Sequence, residues 1–219
     1  MRILITAGGT REYIDPVRFV SNASSGKMGY ALARAAIKAG HTVTLIAAPT
    51  SRKPPGEAKI VNVETAARMF EAVKKHFSRC DCLIMAAAVA DYTPASPAKS
   101  KIKKSGKSMT IKLKPTADIL EWAGKQKQLN CQRAKEKLKI IVGFALEDKA
   151  VRIRAENKLK DKNLDMIVAN SPSAIGAGKS NVQIKIPNSS WIKIHNAAKS
   201  ATANKIIRLV EKLHLAKLK

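Results

Sequence analysis

Short apolar runs alternate with amphipathic stretches through the first 91 residues of the chain. Runs of strand length lie at 2–8, 41–49, 58–64 and 81–91, and the last of these is apolar enough to be fully buried. Helical periodicity occupies 27–40 and 65–77. Strands that alternate with helices are joined by crossovers that keep the strands parallel. The pattern therefore predicts an α/β fold with a doubly wound, mostly parallel sheet in a Rossmann-like, three-layer arrangement.

The second half of the chain is less regular. Residues 92–108 combine prolines, small polar residues and lysines, which predicts a mobile, lysine-rich flap. Further strands are predicted at 109–116, 138–147 and 164–170, helices at 117–127, 149–163 and 201–213, and a small hairpin from 182–187 and 190–195. No internal repeat or linker interrupts the pattern, so we expect one domain over residues 1–219.

Composition limits the class of protein. The sequence contains no apolar run of about eighteen residues and does not open like a signal peptide, so we expect a soluble, cytoplasmic protein with no membrane partner. Cys80, Cys82 and Cys131 lack the spacing of a metal site, and the histidines are scattered. We therefore expect reduced, structural thiols and no metal-ligating residues.

The charge balance is strongly basic. Against 16 acidic residues there are 41 lysines and arginines, which gives a formal net charge of +25. Such a field attracts polyanions, either nucleic acid or phosphorylated metabolites, although lysines spread along the whole chain also fit a solvated surface. Aromatic residues make up only 4% of the chain, too few for the stacking platforms of single-strand binders. Specific nucleic-acid binding is therefore disfavoured.

The first predicted strand runs into "ITAGGTREYIDPVRFVSNASSGKMG", which fits two standard phosphate motifs badly. The dinucleotide fingerprint needs its glycines together and a carboxylate after the second strand. Here Gly8 and Gly9 lie far from Gly26 and Gly29, and the second strand ends "LIAAP". The P-loop needs a hydroxyl where this chain has Met28. Ordinary NAD(P) binding and a standard P-loop are both disfavoured.

The start of the first predicted helix still favours an anion. Residues 24–27 place unpaired backbone N–H groups and the positive end of the helix dipole at one point. A serine cap, with glycines for helix–sheet packing, would give the same local sequence. The preceding connection from Gly9 is long, carries Arg18 and Asn22, and is of a length that is usually functional or disordered.

The carboxyl ends of the predicted strands carry further candidates, because ligands of open parallel sheets bind at that edge. Small side chains at 86–88 leave the backbone accessible, Asp91 supplies a carboxylate, Phe144 offers a face for a base, and Asn170 an amide. Each of these residues alone could serve only to pack the end of its strand, but together they predict a pocket. Residues 99–107, here called the lysine segment, are either a solvated loop or a flap that closes over a triphosphate.

Several of these motifs together resemble one family. The opening stretch, "AAAVADY" followed by "KIKK", and "VGFALE" with "KLKDKNLDMIVAN" closely resemble phosphopantothenate–cysteine ligases of coenzyme A biosynthesis. The resemblance runs from Met1 to about Asn170 and is looser afterwards. It implies a single nucleotide-binding ligase domain over residues 1–219.

The resemblance also implies the chemistry. The carboxylate of 4'-phosphopantothenate attacks the α-phosphate of a nucleoside triphosphate, CTP or else ATP, with Mg²⁺ present. The products are pyrophosphate and an acyl-nucleotidylate. The amine of L-cysteine then displaces the nucleoside monophosphate. Sites of this family lie at a dimer interface, so a homodimer is expected.

Site residues carry over by position from the same resemblance. Lys101 and Asn22 are expected to be catalytic, Lys101 in activation and Asn22 in holding the acyl-nucleotidylate. The implied nucleotide contacts are Gly8, Ser24, Gly26, Gly29, Ala86, Ala87, Asp91, Ala117, Asp118, Ile119, Leu120, Phe144, Lys158, Lys162 and Asn170. The implied substrate contacts are Arg18, which reaches the partner subunit's substrate, Asn22, Ala87, Ala88 and Asp91. The division of Ala87, Ala88 and Asp91 between the two ligands stays open.

Some features of the chain depart from the family pattern and limit which roles can be carried over from the resemblance. No decarboxylase domain precedes Met1, so we expect the ligase alone, with a separate phosphopantothenoylcysteine decarboxylase. The turn "ADIL" at 117–120 replaces a proline-containing turn, which leaves the base contacts open. A non-catalytic nucleotide- or nucleic-acid-binding protein on the same fold is the alternative, motivated by the basic excess.

Overall fold

The computed structural model of the protein describes residues 1–132 and 139–218. The helices are α1 (Lys27–Lys38), α2 (Ala66–Phe77), α3 (Ile119–Gln132), α4 (Val151–Asp161) and α5 (Lys199–Leu218). The strands are β1 (Arg2–Ala7), β2 (Arg11–Tyr13), β3 (Phe19–Ser21), β4 (Thr42–Ala47), β5 (Lys59–Asn62), β6 (Cys82–Met85), β7 (Tyr92–Pro94), β8 (Leu113–Pro115), β9 (Ile140–Leu146), β10 (Met166–Asn170), β11 (Lys179–Lys185) and β12 (Ile192–Ala198).

The main sheet has eight strands in the order β12-β11-β10-β9-β6-β1-β4-β5. The six strands from β10 to β5 are parallel, and β11 and β12 add an antiparallel hairpin at one edge. Counted along the chain, the parallel strands lie in the order 3-2-1-4-5-6 of a Rossmann fold. The predicted fold class and hairpin are confirmed. The strand order reverses between β1 and β6, the point where such folds bind ligands.

Both faces of the sheet are covered, as the alternation of side chains in β1 requires. Ile3 and Ile5 belong to the core that α1 and α5 cover, whereas Leu4 belongs to the opposite core, under α2, α3 and α4. These three side chains are at most 1% exposed. The result is the predicted three-layer arrangement of helix, sheet and helix.

Two short antiparallel ribbons stand outside the sheet. The long connection after Gly9 forms the first of them, from β2 and β3, and β7 pairs with β8 to form the second. The first ribbon is anchored at its base, because the buried carboxylate of Glu12 accepts a 2.8 Å hydrogen bond from the backbone N–H of Ala66 at the start of α2. The long connection is therefore an ordered element of the fold.

Several predicted boundaries were wrong. The buried strand expected at 81–91 ends at Met85, because the chain then leaves the sheet and the next N–H groups bond to β1 and to the turn after it. Of the strand expected at 109–116, only Leu113–Pro115 is a strand, in the second ribbon. The helix expected at 117–127 begins at Ile119 and continues to Gln132. Residue 138, where a strand was expected to begin, lies outside the described residues.

The thiols of Cys80 and Cys82 are buried and form no disulfide. Burial raises the pKa of the Cys80 thiol to about 12 and raises the pKa of Cys82 well above its ordinary value. Such thiols are poor nucleophiles, which fits the structural role expected for them. The side chain of Cys131 lies outside the described residues.

Candidate functional site

A cleft of about 610 Å³ opens at the carboxyl ends of β6, β9 and β10, beside the strand-order reversal. One end is formed by residues 22–28, which lead into α1, and the far wall by residues 116–120, before and within α3. The volume is in the range of ligand-binding sites of proteins. The fold therefore provides a site where doubly wound sheets bind nucleotides.

The two separated glycine groups of the sequence meet at one end of this cleft. Gly26 has a left-handed backbone, with φ of 70°, and a Cβ built on it would lie 3.5 Å from the backbone nitrogen of Gly8. Gly8 is also left-handed, and a Cβ there would lie 2.8 Å from the carbonyl oxygen of Ala48. Side chains at both positions would therefore strain the chain. The first ribbon is inserted between two parts of one glycine-rich turn.

No side chain caps α1, although residues 24 and 25 are serines. Ser24 and Ser25 line the cleft together with Gly26 and Lys27, and α1 has no acidic residue in its first turn. The helix therefore presents its positive end and a lysine to the cleft. An anion such as a phosphate fits that end of the site.

The segment Ala86–Asp91, here called the alanine segment, forms the middle of the cleft wall. Its backbone is held by two completely buried threonines that the sequence analysis did not identify. Thr6 Oγ1 accepts a 3.1 Å hydrogen bond from the N–H of Ala87, and Thr10 Oγ1 accepts one of 2.9 Å from the N–H of Ala90. In the sequence, the only sign of this role was the presence of two threonines, one near the end of β1 and one just after it.

Asn22 joins the first ribbon to the alanine segment. Its side-chain amide donates a 3.0 Å hydrogen bond to the carbonyl oxygen of Val89, while the residue itself is exposed. Its own carbonyl oxygen accepts a 2.7 Å hydrogen bond from the N–H of Ser24. Asn22 thus lies between the glycine-rich turn and the middle of the cleft, where a ligand that spans both would pass.

A charged pair forms the far wall. Asp118 directly precedes α3 and accepts a 2.9 Å hydrogen bond from the N–H of Glu121, and Lys162 donates a hydrogen bond to its other oxygen. Partial burial alone would raise the pKa of Asp118, but these hydrogen bonds and the charges of Lys162 and Lys158 outweigh it and lower that pKa. Asp118 is therefore an anion at neutral pH and fixes the direction of Lys162.

Lys158 lies deeper in the same wall and donates a 2.9 Å hydrogen bond to the carbonyl oxygen of Phe144. Burial lowers the pKa of its ammonium group, and the charge of Lys162 lowers it further, in excess of the opposite effect of nearby carboxylates. A buried ammonium group gains most from a nearby anion. Phe144 is half-buried beside it and lines the cleft, which offers a flat apolar face.

The lysine segment lies away from the cleft walls and is held to the first ribbon. Arg18 donates a hydrogen bond to the carbonyl oxygen of Ile102, and the N–H of Ile102 donates one of 3.1 Å to the buried carboxylate of Asp15. Lys101 precedes this attachment and is exposed. The sequence predicted a mobile flap here, and the structure attaches its centre to the first ribbon at one residue, Ile102.

The structure brings most of the sequence-predicted site residues into one cleft. Those that line it are Asn22, Ser24, Gly26, Ala86, Ala87, Ala88, Asp91, Ala117, Asp118, Ile119, Leu120, Phe144, Lys158, Lys162 and Asn170. Those outside the lining are Gly8, Arg18, Gly29 and Lys101. Gly29 has a packing role, because a Cβ there would lie 2.5 Å from the Cβ of Ala7.

Other lining residues were missed by the sequence analysis. They include Thr116, Glu147, Gly176 and Lys199. Glu147 follows β9 directly and was recognisable as a strand-end carboxylate, whereas Lys199 comes from the far end of the chain. Lys27 donates a hydrogen bond to the carbonyl oxygen of Gly176, and this bond joins the start of α1 to the connection after β10.

The carboxylates of the cleft could hold a metal ion only if a bound ligand supplied further oxygen atoms. Asp118 is paired with Lys162, and Glu147 with Arg154 at 3.0 Å, whereas Asp91 has no ion pair among the described residues. Within residues 1–132 and 139–218, no group of three or more acidic, histidine or cysteine side chains could hold a metal ion. Mg²⁺ usually takes one or two carboxylates, with phosphate oxygens and water completing its shell. One free carboxylate beside an anion site fits that mode.

A search of the described helices found none that is both long and apolar enough to span a lipid bilayer.

Comparisons with known proteins identify relatives over nearly the whole chain. The family model described as DNA/pantothenate metabolism flavoprotein C-terminal domain matches residues 1–213. The coenzyme A biosynthesis bifunctional protein CoaBC of Bacillus subtilis (strain 168) is 48% identical over 177 residues. A cysteine/cysteine sulfinic acid decarboxylase of an unknown prokaryotic organism is 47% identical over 178 residues. The crystal structure of the C-terminal domain of a CoaBC protein superposes with a TM-score of 0.80 at 37% identity, covering 97% of this chain and 94% of that one.

The two sequence relatives are longer than the region they share with this protein. The alignments cover 80% of this chain and 41% of the Bacillus protein, and 81% of this chain and 47% of the decarboxylase. The chain therefore corresponds to less than half the length of each of these relatives.

Proposed function

The chain belongs to the family of DNA/pantothenate metabolism flavoprotein C-terminal domains, and from this premise we propose that it is a phosphopantothenate–cysteine ligase of coenzyme A biosynthesis. The observation that carries the proposal is the cleft itself. It joins an anion-binding helix start, an accessible backbone segment and a lysine-rich wall within one volume of about 610 Å³. These are the parts needed to hold a nucleotide and a second, carboxylate-bearing substrate side by side.

The nucleotide would lie across the two ends of the cleft. The start of α1 would bind its phosphates through backbone N–H groups and Lys27. Residues 117–120 and the ring of Phe144 would contact the base, with Lys158 and Lys162 beside them. We propose CTP as the triphosphate, with ATP as the alternative, because backbone contacts from 117–120 can distinguish the hydrogen-bonding edges of the two bases.

The second substrate would lie along the alanine segment. We propose that a carboxylate oxygen of 4'-phosphopantothenate forms a bond to the α-phosphorus, and that the bond from this phosphorus to the β-phosphate oxygen breaks to release pyrophosphate. The amine of L-cysteine then attacks the acyl carbon and loses a proton to solvent. The carbon–oxygen bond breaks, and the nucleoside monophosphate leaves with that oxygen. Asn22 would hold the acyl-nucleotidylate during this second step.

Lys101 would act in the first step. Negative charge grows on the phosphate oxygens during activation, and an ammonium group aimed at them lowers the barrier. The backbone hydrogen bonds of Ile102 fix the chain next to Lys101. The side chain of Lys101 is exposed and free to change its rotamer. That arrangement suits a lysine that contacts the phosphates only when the substrates are bound.

Mg²⁺ would be held mainly by the triphosphate, with Asp91 as the available carboxylate of the cleft. When bound, it would neutralise phosphate charge. The protein residues would still have to orient the two substrates, which is the part assigned to residues 22–27 and to the alanine segment.

We further propose that the protein is a homodimer joined through its two ribbons. Val17 and Tyr92 are each 57% exposed, and Phe19, Val20 and Leu113 are 41–43% exposed on the same ribbons. Exposed apolar surface of this kind marks an interface more often than bare surface. Arg18 lies on the first ribbon, so a dimer formed there would place it near the partner subunit, where we propose that it contacts the partner's substrate.

Mixing two inactive variants tests the shared site. If Arg18 serves the partner's site, mixed dimers of Arg18→Ala and Lys101→Gln contain one intact site, and activity recovers to about a quarter of the wild-type value at equal mixing. If Arg18 serves its own subunit, every site keeps one defect and no activity returns. Light scattering of each variant, before mixing and after, checks that dimers form.

The proposed product would pass to a separate phosphopantothenoylcysteine decarboxylase, and the reaction would take place in the cytoplasm.

Pyrophosphate release tests the function. We expect release with CTP and Mg²⁺ only when 4'-phosphopantothenate is present, and the same assay with ATP measures the base preference. Lys162→Gln, directly after α4, should raise the KM for the triphosphate, whereas Lys160→Gln removes the same charge from an exposed position in the last turn of α4 and should not. Release that ignores 4'-phosphopantothenate would contradict the proposal.

A further inference from the structure

A second cavity, of about 470 Å³, lies between α1 and the first turn of α5, next to the cleft. Its floor contains small residues, namely Ala31 and Ala35 of α1 and Ala198 just before α5. These side chains let the two helices approach without filling the space between them. The cavity is large enough for a small phosphorylated molecule.

All the charged residues that line this cavity are cationic. Five of its lining residues are basic: Lys27, Arg34, Lys38, Arg52 and Lys199. Three of them follow α1 at spacings of seven and four residues, which places them on one helical face. No acidic side chain lines the cavity, and none of the five forms a salt bridge among the described residues.

Two of these cations are already close to one another. Lys199 donates a 3.0 Å hydrogen bond to Ser180 Oγ and a 3.3 Å one to the carbonyl oxygen of Ala174. Burial lowers the pKa of its ammonium group, and the charge of Lys27 lowers it further. Positive charges that gather in a partly enclosed space without a counter-ion repel one another, and a bound anion would relieve that repulsion.

Arg34 and Arg52 favour a phosphoryl group over a simple counter-ion. Both guanidinium side chains are on exposed residues at the rim, and both lie outside the cleft lining. A guanidinium group donates two parallel hydrogen bonds to a phosphoryl group, a geometry that a lysine cannot provide. Two arginines, three lysines and a small-residue floor suit a ligand with at least two phosphoryl groups.

We propose that this cavity is a second binding site, for a small polyanion that carries two or more phosphoryl groups. Pyrophosphate and nucleoside diphosphates share that chemistry. The cavity shares Lys27 with the proposed nucleotide site, but Arg34 and Arg52 lie outside the cleft, so the proposal does not depend on the ligase assignment. Lys27 and Lys199 line both the cavity and the cleft, so a ligand in one changes the electrostatic potential in the other.

Calorimetric titration with inorganic pyrophosphate, and separately with ADP, tests the proposal. The probe is added to the wild-type protein, to Arg34→Gln/Arg52→Gln and to Lys205→Gln/Arg208→Gln. The second pair lies on exposed positions of α5 outside both cavities and removes the same charge. We expect one binding event to weaken at least about tenfold in the first double variant and to persist in the second.

The two probes identify the source of the phosphoryl groups. Equal loss of pyrophosphate and ADP binding supports a site for the phosphoryl groups alone, and a larger loss for ADP supports a nucleotide. Isotherms that change equally in the cavity variant and in its charge-matched control would overturn the proposal, because the net charge of the protein would then explain the binding. Pyrophosphate should also slow hydrogen exchange of residues 199–204 in the wild-type protein, and unchanged exchange there counts against it.

Discussion

The alanine segment lines the cleft, the lysine segment lies outside its walls, and the two segments differ in how firmly they are held. The alanine segment is half-buried and tied to β1 and the following turn through Thr6 and Thr10. The lysine segment is exposed except at Ile102, where Asp15 and Arg18 hold its backbone. The alanine segment is therefore a fixed wall of the cleft. The lysine segment is an exposed loop whose backbone is attached at its centre.

This difference corresponds to a division of labour in the proposed reaction. A wall that positions substrates must not move, since small displacements of reacting groups cost much of the rate. A cation that stabilises charge only during activation can approach after the substrates bind. Substitutions in the lysine segment should therefore affect chemistry with little effect on stability, and substitutions beneath the alanine segment should affect both.

The largest effect is expected from Lys101→Gln. The loss of a cation that stabilises charge only in the transition state should lower kcat for pyrophosphate release by about 10²–10³-fold, in the range measured for single oxyanion-stabilising groups. The melting temperature should not change, because Lys101 is exposed and has no salt bridge among the described residues.

Lys104→Gln is the matched control for that experiment. It removes the same charge from another exposed position of the lysine segment. Its kcat should stay within about threefold of the wild-type value, as for an exposed charge screened by water. Equal losses in the two variants would mean that the segment acts through its overall charge, and the specific role of Lys101 would be lost.

A smaller and more selective effect is expected from Asn22→Asp. The carboxylate cannot donate the hydrogen bond to Val89 and would repel an acyl-nucleotidylate. Rapid-quench measurements should show amide formation slowed about 10–100-fold, and the preceding burst of pyrophosphate slowed less. Asn62→Asp, at the exposed end of β5, makes the same charge change away from the cleft. Equal slowing of both steps would contradict the role of Asn22.

Thr10→Val tests the support of the alanine segment. The substitution keeps the shape of the side chain but leaves the buried N–H of Ala90 without its acceptor, which should lower the free energy of unfolding by about 1–3 kcal/mol. The wall would then hold substrate less well, and kcat/KM should fall roughly tenfold. Thr42→Val, at an exposed position of β4, should change neither quantity. Denaturant titration and steady-state assays measure both.

The smallest effect concerns the attachment of the lysine segment. Burial alone would raise the pKa of Asp15, but hydrogen bonds from the N–H groups of Val17, Ile102 and Arg18 and the charge of Arg18 outweigh it and lower that pKa. The attachment should therefore be fully present above the ordinary aspartate pKa of about 3.9 and be lost as the pH falls through the lower value of the folded protein.

Two measurements check that attachment. The amide resonance of Ile102 should stay constant from neutral pH down to about pH 4 and shift only below it. At neutral pH, Asp15→Asn should speed trypsin cleavage within the lysine segment, with cleavage after Lys53 as the internal reference. A resonance that shifts near pH 6, or unchanged cleavage, would show that Asp15 does not hold the segment.

The sequence was most informative where a pattern repeats along the chain. Alternation of strand and helix predicted the doubly wound sheet, because burial on both faces demands long apolar runs and crossover helices. It also placed Phe144 and Asn170 at one edge, since parallel strands share a direction. Their positions in the cleft follow from topology alone, without knowledge of any side-chain contact.

The sequence was least informative where contacts join distant residues. The contact between Gly8 and Gly26 depends on how the first ribbon folds between them. The periodicity of apolar residues in the sequence does not predict that folding. Nothing in the local sequence marks Thr6 or Thr10, because their role depends on the chain after β6, which leaves the sheet and bonds to them. Lys199 enters the site only because α5 packs against α1, an association of helices that lie far apart along the chain.

The fate of the carboxylate oxygen tests the central proposal most directly. The protein is given 4'-phosphopantothenate labelled with ¹⁸O in its carboxylate, together with CTP, Mg²⁺ and L-cysteine, and the products are analysed by mass spectrometry. Activation at the α-phosphate transfers one labelled oxygen to the CMP for each amide formed. Unlabelled CMP, or label found in inorganic phosphate together with CDP, would contradict an acyl-nucleotidylate and with it the proposed ligase reaction.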